Sequence, residues 1–285
     1  MNLIVACNQN YVHPLRVMLT SFLNSNTFEH HNIYFLYSDV DQESIVRVKH
    51  FLERKHLCTF VPIAVHKDDF TDFPVSHHFS IETYYRFLVQ DIVPKTESRA
   101  LWLDVDMIVR KSLKEFYYQN FNNNTLVVCK SINKEPKALL DKLGCPEGSI
   151  YFNAGCILFN LEHLRDTTLR DYSLFYEQNK ERITWLDQDI LNAMYAKKTQ
   201  FADYRIYNMQ MFSDTVFTEA ELHFINEHTA IVHYIGGVKP WHSRYSNPCL
   251  TYWVEYEKQA YSTKETAISL IRRICVKLSN LVKRK

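Results

Sequence analysis

The sequence predicts an α/β protein with a mostly parallel, doubly wound sheet, and two observations support this fold class. Short apolar runs alternate with helical apolar stripes through the first 110 residues, and such alternation favours right-handed βαβ units. The chain also has only five glycines, the first of which is Gly144. The first half therefore has no glycine-rich phosphate loop, so a nucleotide site would depend on side chains and a metal.

The first half contains four predicted strands, and each is followed by a polar segment. The helix after the first strand has its apolar residues at i, i+3, i+4 and i+7, and the next helix begins at an N-capping Asp41. A third helix is predicted over residues 81–92 with Ser80 as its cap. The four strands cover residues 3–7, 33–37, 60–65 and 100–103.

The second half is less regular. A short helix is predicted to begin within WLDQD and to direct Ile190, Leu191 and Met194 inward, and residues 134–148 are predicted to form a surface excursion. No repeat or linker divides the chain, which predicts one domain over residues 1–250 and a helical basic tail over residues 251–285. Further strands are predicted at residues 126–129, within YFNAGCILFNLEHL and at residues 230–234.

Composition places the chain among globular proteins. The hydrophobic content is 46%, and no window approaches the roughly 20 apolar residues that a membrane span needs. The N-terminus lacks a basic segment before its first apolar run, so no signal peptide is expected. The seven cysteines include no C-x-x-C pair, and their odd number suits a reduced, cytoplasmic protein better than a disulfide scaffold.

The segment LWLDVDMIV, residues 101–109, carries the first chemical signal. Asp104 and Asp106 interrupt an apolar run one residue apart, so in an extended strand both carboxylates would lie on one face. Converging carboxylates repel each other and favour a cation between them, and hard oxygen ligands suit Mg²⁺ or Mn²⁺ with a phosphate. The alternative is a strand end that runs into a solvated turn with both acids exposed.

Five segments, taken together and in order, resemble glycosyltransferase family 8, including the bacterial lipopolysaccharide α-galactosyl- and α-glucosyltransferases. They are NQNY, LDVDMIV, YFNAGCILFNL, WLDQDILN and HYIGGVKPWH, and the resemblance covers roughly residues 1–245. It implies a GT-A fold, in which a Rossmann-like nucleotide half is continuous with an acceptor half. It also implies retaining transfer of a hexose from a UDP-sugar to a saccharide or glycolipid acceptor. The expected cofactor is Mn²⁺, with Mg²⁺ as the alternative.

The resemblance also implies a set of metal and nucleotide contacts. Asp104, Asp106 and His233 would bind the metal, and a ligand set that includes imidazole suits Mn²⁺ better than Mg²⁺. Lys239 would hold the diphosphate, helped by close backbone approach at Gly236. The alternative for His233 is a histidine that is only hydrogen-bonded, and the alternative for Lys239 is a solvated cation. Tyr11, which would stack on uracil, could instead be a packing residue. The base and ribose contacts implied are Ala6, Asn8, Asn10 and Tyr11, and Val105 is a further implied donor contact.

The sugar pocket that the resemblance implies lies around the predicted catalytic pair, Asp187 and Gln188. Gln188 would lie near the anomeric carbon, and because an amide is a poor nucleophile we expect a front-face reaction through an oxocarbenium-like state. The alternative makes this pair simple N-cap residues, and Arg86 a surface ion pair. The implied pocket consists of Arg86, Ser131, Asn153, Ala154, Asp187 and Gln188.

Two positions depart from the family pattern. Asn8 stands where an acid is expected against uracil, although its carbonyl can still accept the uracil N–H. Ser131 stands where the galactosyltransferases have a second acid in the sugar pocket. Since residues that bind hydroxyls set epimer preference, UDP-galactose, UDP-glucose and other UDP-hexoses all remain open as donors.

The tail over residues 265–285 combines an apolar helical stripe with six Lys or Arg and one acid, Glu265. This pattern favours binding to an anionic membrane surface and predicts a peripheral position on the inner face of the cytoplasmic membrane. A helix docked on the domain and a dimer contact are the alternatives. Nucleic acid is not expected as a partner, because the basic charge is confined to one short stretch without aromatics. The stripe consists of Ala267, Ile271, Ile274, Leu278 and Leu281.

Two other functions are compatible with paired carboxylates on such a sheet. A sugar nucleotidyltransferase also uses a metal, but it normally opens with a glycine-rich loop that this chain lacks before Gly144. A non-catalytic protein with the same fold would need no complete metal set, so the implied ligands Asp104, Asp106 and His233 favour an enzyme.

Overall fold

The computed structural model describes residues 1–55, 57–74, 80–132 and 136–261. These residues form two sheets, one of seven strands and one of three. The strands are β1 (Asn2–Ala6), β2 (His31–Tyr37), β3 (Cys58–Ala64), β4 (Arg99–Leu103), β5 (Met107–Val109), β6 (Leu126–Lys130), β7 (Phe152–Asn160), β8 (Thr199–Ala202), β9 (Met209–Met211) and β10 (Ile231–Tyr234).

Helices of different lengths connect the strands. Within the described ranges, none is both long enough and apolar enough to span a bilayer. Three 3₁₀-helices cover Gln9–Tyr11, Lys67–Phe70 and Ile81–Leu88. The α-helices are α1 (Val12–Ser25), α2 (Gln42–Lys55), α3 (Val89–Ile92), α4 (Lys114–Tyr118), α5 (Pro136–Leu143), α6 (Leu161–Leu164), α7 (Leu169–Asn179), α8 (Leu186–Tyr195), α9 (Tyr204–Tyr207), α10 (Glu219–His228) and α11 (Leu250–Ala260).

The large sheet has the strand order β3-β2-β1-β4-β7-β6-β8. Every neighbouring pair is parallel except the two that involve β7, which runs antiparallel to both β4 and β6. The predicted mostly parallel sheet is therefore confirmed, with one reversed strand in its middle.

Helices cover both faces of this sheet, as the doubly wound prediction requires. On one face α1 buries Leu15 and Met18 beside Ile45 and Val48 of α2, all on the predicted stripes. Asp41 caps α2, since its Oδ1 accepts from the Ser44 amide at 2.7 Å. The opposite face is covered by the 3₁₀-helix Ile81–Leu88 together with α7 and α8, whose aromatic and aliphatic side chains form a second core.

The small sheet has the order β5-β10-β9 and stands beside the large one. β5 follows β4 after a three-residue turn and pairs antiparallel with β10, so one continuous segment, residues 99–109, contributes a strand to each sheet. α11 covers the small sheet through the fully buried Trp253, whose ring lies 6.1 Å from that of Tyr234. The predicted amphipathic stripe of residues 265–285 lies outside the described residues, and the division at residue 250 stays a prediction.

Two predicted elements differ from the structure. The segment after Ser80 is a 3₁₀-helix over Ile81–Leu88 that continues into α3, and the Ser80 side chain does not cap it. Tyr84, Tyr85, Arg86 and Phe87 are all buried there, so burial on several sides outweighs the two-face pattern of an α-helix. The surface excursion at residues 134–148 includes α5, which buries Leu140 and Leu143 in a cluster with Tyr151.

Candidate active site

The candidate site lies at the edge of the large sheet where β1 and β4 end. The chain leaves β1 toward β2 on one side, whereas β4 lies on the other side, which makes this a topological switch point. The reversed strand β7 begins at the same edge. Residues 8–11, 104–106 and 153–155 therefore meet there, as the order of the motifs predicts.

The two aspartates reach the site by a turn rather than by strand alternation. β4 ends at Leu103, and Asp104 to Asp106 form the turn that leads into β5, which corrects the prediction of one extended strand. The turn is held at both ends, because the Asp104 amide donates to the Gly155 carbonyl at 2.9 Å and the Tyr234 amide donates to the Asp106 carbonyl at 3.0 Å. The pairing of β10 with β5 then places His233 opposite Met107.

The turn and β10 bring three metal-binding side chains together. One ligand atom from each of Asp104, Asp106 and His233 lies within 4.8 Å of the others. Asp106 Oδ1 is buried without a hydrogen-bond partner, although His233 Nε2 lies 3.2 Å from it. A buried carboxylate oxygen left in this way costs free energy unless a cation meets it. Two carboxylates and one imidazole therefore fit a divalent metal ion.

Gly155 leaves the space that such an ion needs. A Cβ added there would lie 2.5 Å from His233 Cε1 and 2.8 Å from Asp104 Oδ2. Both distances are shorter than real Cβ contacts, so only glycine is compatible with the observed positions of these two ligands. Gly155 thus forms the floor of the three-ligand cluster.

Lys239 is a buried ion-pair partner and not the solvated loop cation of the alternative interpretation. Its ammonium group donates to Asp106 Oδ2 at 2.5 Å and to the Tyr234 carbonyl at 2.8 Å. Burial alone would raise the pKa of Asp106, but Lys239 and His233 outweigh it and hold that pKa well below its usual value. Nearby, Gly236 has φ +82° and packs under the Phe212 ring, which a side chain there would displace.

Arg86 lies between two carboxylates, and the surface ion pair of the alternative interpretation is wrong. Its guanidinium contacts Asp104 Oδ1 at 2.9 Å and Asp187 Oδ2 at 3.1 Å, and it also donates to the Ala154 carbonyl. Its side chain is only 4% exposed and packs over the Trp102 ring. Arg86 therefore connects the aspartate turn, residues 104–106, to the start of α8.

Asp187 and Gln188 lie in the first turn of α8, and Trp185 occupies the N-cap position, so the N-cap alternative is wrong. Leu186 has φ +48°, a strained conformation for leucine that turns the chain sharply before Asp187. Burial raises the pKa of Asp187 to about 6, against the opposing effect of Arg86. Gln188 Oε1 accepts from the Ala154 amide at 3.0 Å and from Asn153 Nδ2 at 3.2 Å.

Three of the predicted nucleotide contacts, Asn8, Asn10 and Tyr11, follow β1, and each contacts another residue of the protein. Asn8 Oδ1 accepts from the Asn10 amide at 3.1 Å, and Asn8 Nδ2 donates to Glu82 at 3.5 Å. The Tyr11 ring makes an edge contact with Trp241 at 5.5 Å, and burial raises its pKa. Ala6 ends β1, and Val105 is buried in the aspartate turn. Their nucleotide roles stay predictions.

Ser131 directly follows β6, and its amide donates to the Tyr151 carbonyl at 2.9 Å. It therefore lies near Asn153, at the edge where β7 begins, and its predicted sugar-binding role stays a prediction.

The structure adds residues that the sequence did not indicate. Trp102 Nε1 donates to Asp104 Oδ1 at 2.8 Å, and Thr83 Oγ1 donates to Asp187 Oδ1 at 2.5 Å. Asn208 lies between α9 and β9, and its Oδ1 is 2.9 Å from His233 Nδ1. Trp102 and Gly155 lie within the quoted segments LWLDVDMIV and YFNAGCILFNL, whereas Thr83 and Asn208 lie outside every quoted segment.

The fold matches that of a solved glycosyltransferase. The structure of galactosyltransferase LgtC in complex with donor and acceptor sugar analogues aligns with a TM-score of 0.77 over 91% of this chain and 96% of that chain, at 24% identity. The mixed sheet with its reversed strand is therefore the GT-A fold, which defines the structural class of the protein.

Within that class, the chain belongs to glycosyl transferase family 8, whose family model matches residues 2–244. It is 26% identical to the lipopolysaccharide 1,3-galactosyltransferase of Salmonella typhimurium over 89% of this chain and 77% of that protein. It is 24% identical to the lipopolysaccharide 1,2-glucosyltransferase of Escherichia coli K12 over 89% of this chain and 76% of that protein. The predicted family is thereby confirmed.

Replacing Gly155 with alanine should weaken metal binding, because the new Cβ would displace His233 and Asp104. The dissociation constant for Mn²⁺, measured by calorimetric titration of the purified protein, should rise by about 10- to 100-fold. Gly237→Ala is the matched control, since a Cβ there meets no atom within 4 Å. Equal Mn²⁺ affinity in both variants would show that Gly155 does not border a metal site.

The raised pKa of Asp187 predicts a pH-dependent stability. Between its usual value of 3.8 and about 6 the folded protein holds this proton and the unfolded chain does not, so the free energy of unfolding falls as pH rises. Relative to Asp187→Asn, the wild type should lose up to about 3 kcal/mol between pH 4 and 7, measured by urea unfolding. The exposed Asp166→Asn variant should follow the wild type. Parallel profiles for the wild type and Asp187→Asn would contradict the shift.

Proposed function

We propose that this glycosyltransferase is a retaining hexosyltransferase that uses a UDP-sugar and Mn²⁺, with Mg²⁺ as the alternative ion. The proposal depends on the two oxygens of Asp106. Oδ1 lies beside His233 and has no hydrogen-bond partner, and Oδ2 forms an ion pair with the buried Lys239. This arrangement places a cation site and a fixed ammonium group at one point, as a diphosphate leaving group requires. The printed activities of the Salmonella and Escherichia relatives support galactose or glucose as the hexose.

The acceptor in this proposal is a saccharide of lipopolysaccharide, lipooligosaccharide or another surface glycan. The support comes from relatives named for lipopolysaccharide synthesis. Among the predicted pocket residues, Arg86, Asn153 and Asp187 provide donors and acceptors for sugar hydroxyls, so the choice of hexose would depend on which hydroxyls leave these groups paired.

In the proposed mechanism, Asp104, Asp106 and His233 would hold the metal ion, which supplies positive charge to the leaving diphosphate when bound. Lys239 binds the same diphosphate as a point charge, and its contact with the Tyr234 carbonyl keeps the ammonium group at the mouth of the turn. Arg86 contacts both Asp104 and Asp187 and fixes their positions, so that the sugar pocket keeps its shape.

Neither Gln188 nor Asp187 is a good nucleophile, so the proposed mechanism retains the configuration by a front-face reaction. The Gln188 amide is a poor nucleophile, and both of its ends are hydrogen-bonded, to the Ala154 amide and to Tyr151. Asp187 is buried and paired with Arg86, which lowers its reactivity as a nucleophile. The C–O bond to UDP then breaks toward an oxocarbenium-like state, and a phosphate oxygen of the leaving UDP takes the proton of the attacking acceptor hydroxyl on the same face. A trapped glycosyl adduct on Asp187 or Gln188 would contradict this step.

Two rival functions are less well supported. A sugar nucleotidyltransferase would use the same carboxylates, but the first half of this chain lacks a glycine-rich loop. A non-catalytic member of the family would have no reason to keep Asp106 Oδ1 buried and unpaired. Metal-dependent binding of UDP would distinguish the proposed function from a sugar nucleotidyltransferase. Turnover of a UDP-sugar would distinguish it from a non-catalytic member of the family.

We also propose that residues 265–285 bind an anionic membrane, which would place the enzyme on the inner face of the cytoplasmic membrane. The support is the sequence pattern alone, in which six cations flank an apolar helical stripe. Such a position would suit a lipid-linked acceptor.

The donor and the metal can be identified in one assay of UDP release from a panel of UDP-sugars with Mn²⁺, Mg²⁺ or EDTA. Hydrolysis of one UDP-hexose should require the metal, and Asp106→Ala should lower the rate by about 100-fold or more, because a metal ligand is lost. The exposed Asp166→Ala variant should retain the wild-type rate. If folded wild-type protein with an oligosaccharide acceptor turned over none of the UDP-sugars, the proposed activity would be wrong.

Deleting residues 265–285 should abolish pelleting with phosphatidylglycerol vesicles and leave UDP-sugar hydrolysis in solution unchanged, since the metal ligands lie elsewhere. A full-length variant with Arg272, Arg273 and Lys277 changed to Gln should pellet weakly, because each basic residue contributes about 1 kcal/mol at an anionic surface. Unchanged pelleting of the deleted form would end the membrane proposal.

A further inference from the structure

A line of hydrogen-bonded amide side chains, which begins with the buried Asn208, runs from His233 away from the three-ligand cluster. His233 Nδ1 lies 2.9 Å from Asn208 Oδ1, and Asn208 Nδ2 donates to Asn153 Oδ1 at 2.9 Å. Asn208 and His233 are both buried. Metal-binding histidines are commonly fixed through the ring nitrogen that does not face the metal, so the direction of these hydrogen bonds matters.

The backbone fixes that direction. The Gly155 amide can only donate, and it lies 3.1 Å from Asn153 Oδ1, so the atom of Asn153 at this point must be the oxygen. That oxygen also receives Asn208 Nδ2, which leaves Asn208 Oδ1 facing the His233 ring. An amide oxygen only accepts, so Nδ1 of His233 must carry a proton, and in the neutral ring Nε2 carries the lone pair.

The other end of Asn153 is fixed in the same way. Its Nδ2 donates to Gln188 Oε1, and the Ala154 amide donates to the same oxygen. Gln188 Nε2 then donates to Tyr151, whose hydroxyl donates to the buried Asp189 at 2.5 Å. Burial and the nearby Asp189 raise the pKa of Tyr151 well above its usual value, so the hydroxyl keeps the proton that it donates.

We propose that Asn208 is a positioning residue that selects the tautomer of His233, and that Asn153 and Gln188 fix Asn208 in turn. The metal ligand and the predicted catalytic glutamine then belong to one hydrogen-bond network with a single direction, which runs from His233 to Asp189. The proposal rests on the proposed function in taking His233 as a metal ligand, although the tautomer itself can be tested without any metal.

The consequence for the site is that, whenever the ring is neutral, the lone pair of His233 Nε2 lies on the side of Asp106 Oδ1 and of the three-ligand cluster. A ring with its proton on Nε2 would have to exchange that proton before binding a metal. Asn208 therefore lowers the free-energy cost of metal binding without contacting the ion.

The test begins with the metal-free wild-type protein labelled with ¹⁵N at its histidine rings. At about pH 8, where an unperturbed imidazole is neutral, the ¹⁵N shifts of His233 should show the proton on Nδ1. A His233→Ala sample assigns the signals. Asn208→Asp keeps the acceptor oxygen and should keep this tautomer, whereas Asn208→Ala should give a mixture of both tautomers.

Metal titration provides the second readout. Asn208→Ala should raise the Mn²⁺ dissociation constant by about 10- to 100-fold, and Asn208→Asp should change it much less. Asn26→Ala is the matched control, since Asn26 is an equally buried amide that bonds the Leu113 and Phe22 backbone far from this network. It should leave both the His233 shifts and the Mn²⁺ affinity unchanged.

The outcomes separate the two proposals. A proton on Nε2 in the wild type overturns the role of Asn208 whether or not the variants fold, and so does an Asn208→Ala variant with an unchanged His233 spectrum. If the tautomers shift as expected but neither wild type nor variants bind Mn²⁺, the positioning role stands and the proposed metal-dependent function fails.

Discussion

The ion pair between Lys239 and Asp106 is the interaction on which the rest of the site depends. A buried carboxylate without a cation costs several kcal/mol, and Lys239 keeps Asp106 ionised while leaving its second oxygen unpartnered. Arg86 forms ion pairs with both Asp104 and Asp187, but at Asp187 burial outweighs the guanidinium and raises the pKa of that carboxyl. Three carboxylates thus face two cations. A divalent ion would turn this net negative charge into a net positive one, which is the sign that a diphosphate requires.

Local backbone geometry complements this charge balance. Gly155 keeps the space between His233 and Asp104 open, and Leu186 adopts a left-handed conformation so that Asp187 can turn toward Arg86. A strained residue of this kind costs about 1–3 kcal/mol, and it persists only where the surroundings determine it. Here Asp189 secures the turn, because its Oδ2 accepts from the Thr184 and Trp185 amides.

The sequence predicted the sheet and the meeting of its motifs because strand–helix alternation and strand-end placement are properties of local pattern. The sequence did not predict those parts of the structure that depend on burial and long-range contacts and not on local pattern. The 3₁₀-helix at Ile81–Leu88 is buried on several sides, and its sequence has the two-faced apolar pattern that an α-helix would show. Asn208 lies between two short elements and gains its role only from a partner 25 residues away, so no spacing rule could single it out. The aspartate pair was found for its chemistry, although a turn rather than a strand brings it together.

The reversed strand β7 has a consequence for how enzymes of this fold can diversify. Because β7 runs opposite to β6, the connection between them, which includes α5, leaves and re-enters the sheet at the same edge as the metal cluster. α5 packs on α8 because Leu140 and Leu143 share a cluster with Ala193, and neither β4 nor β10 takes part in that cluster. The surface beside the three-ligand cluster can therefore vary between members of the fold while the strands that carry the cluster stay the same.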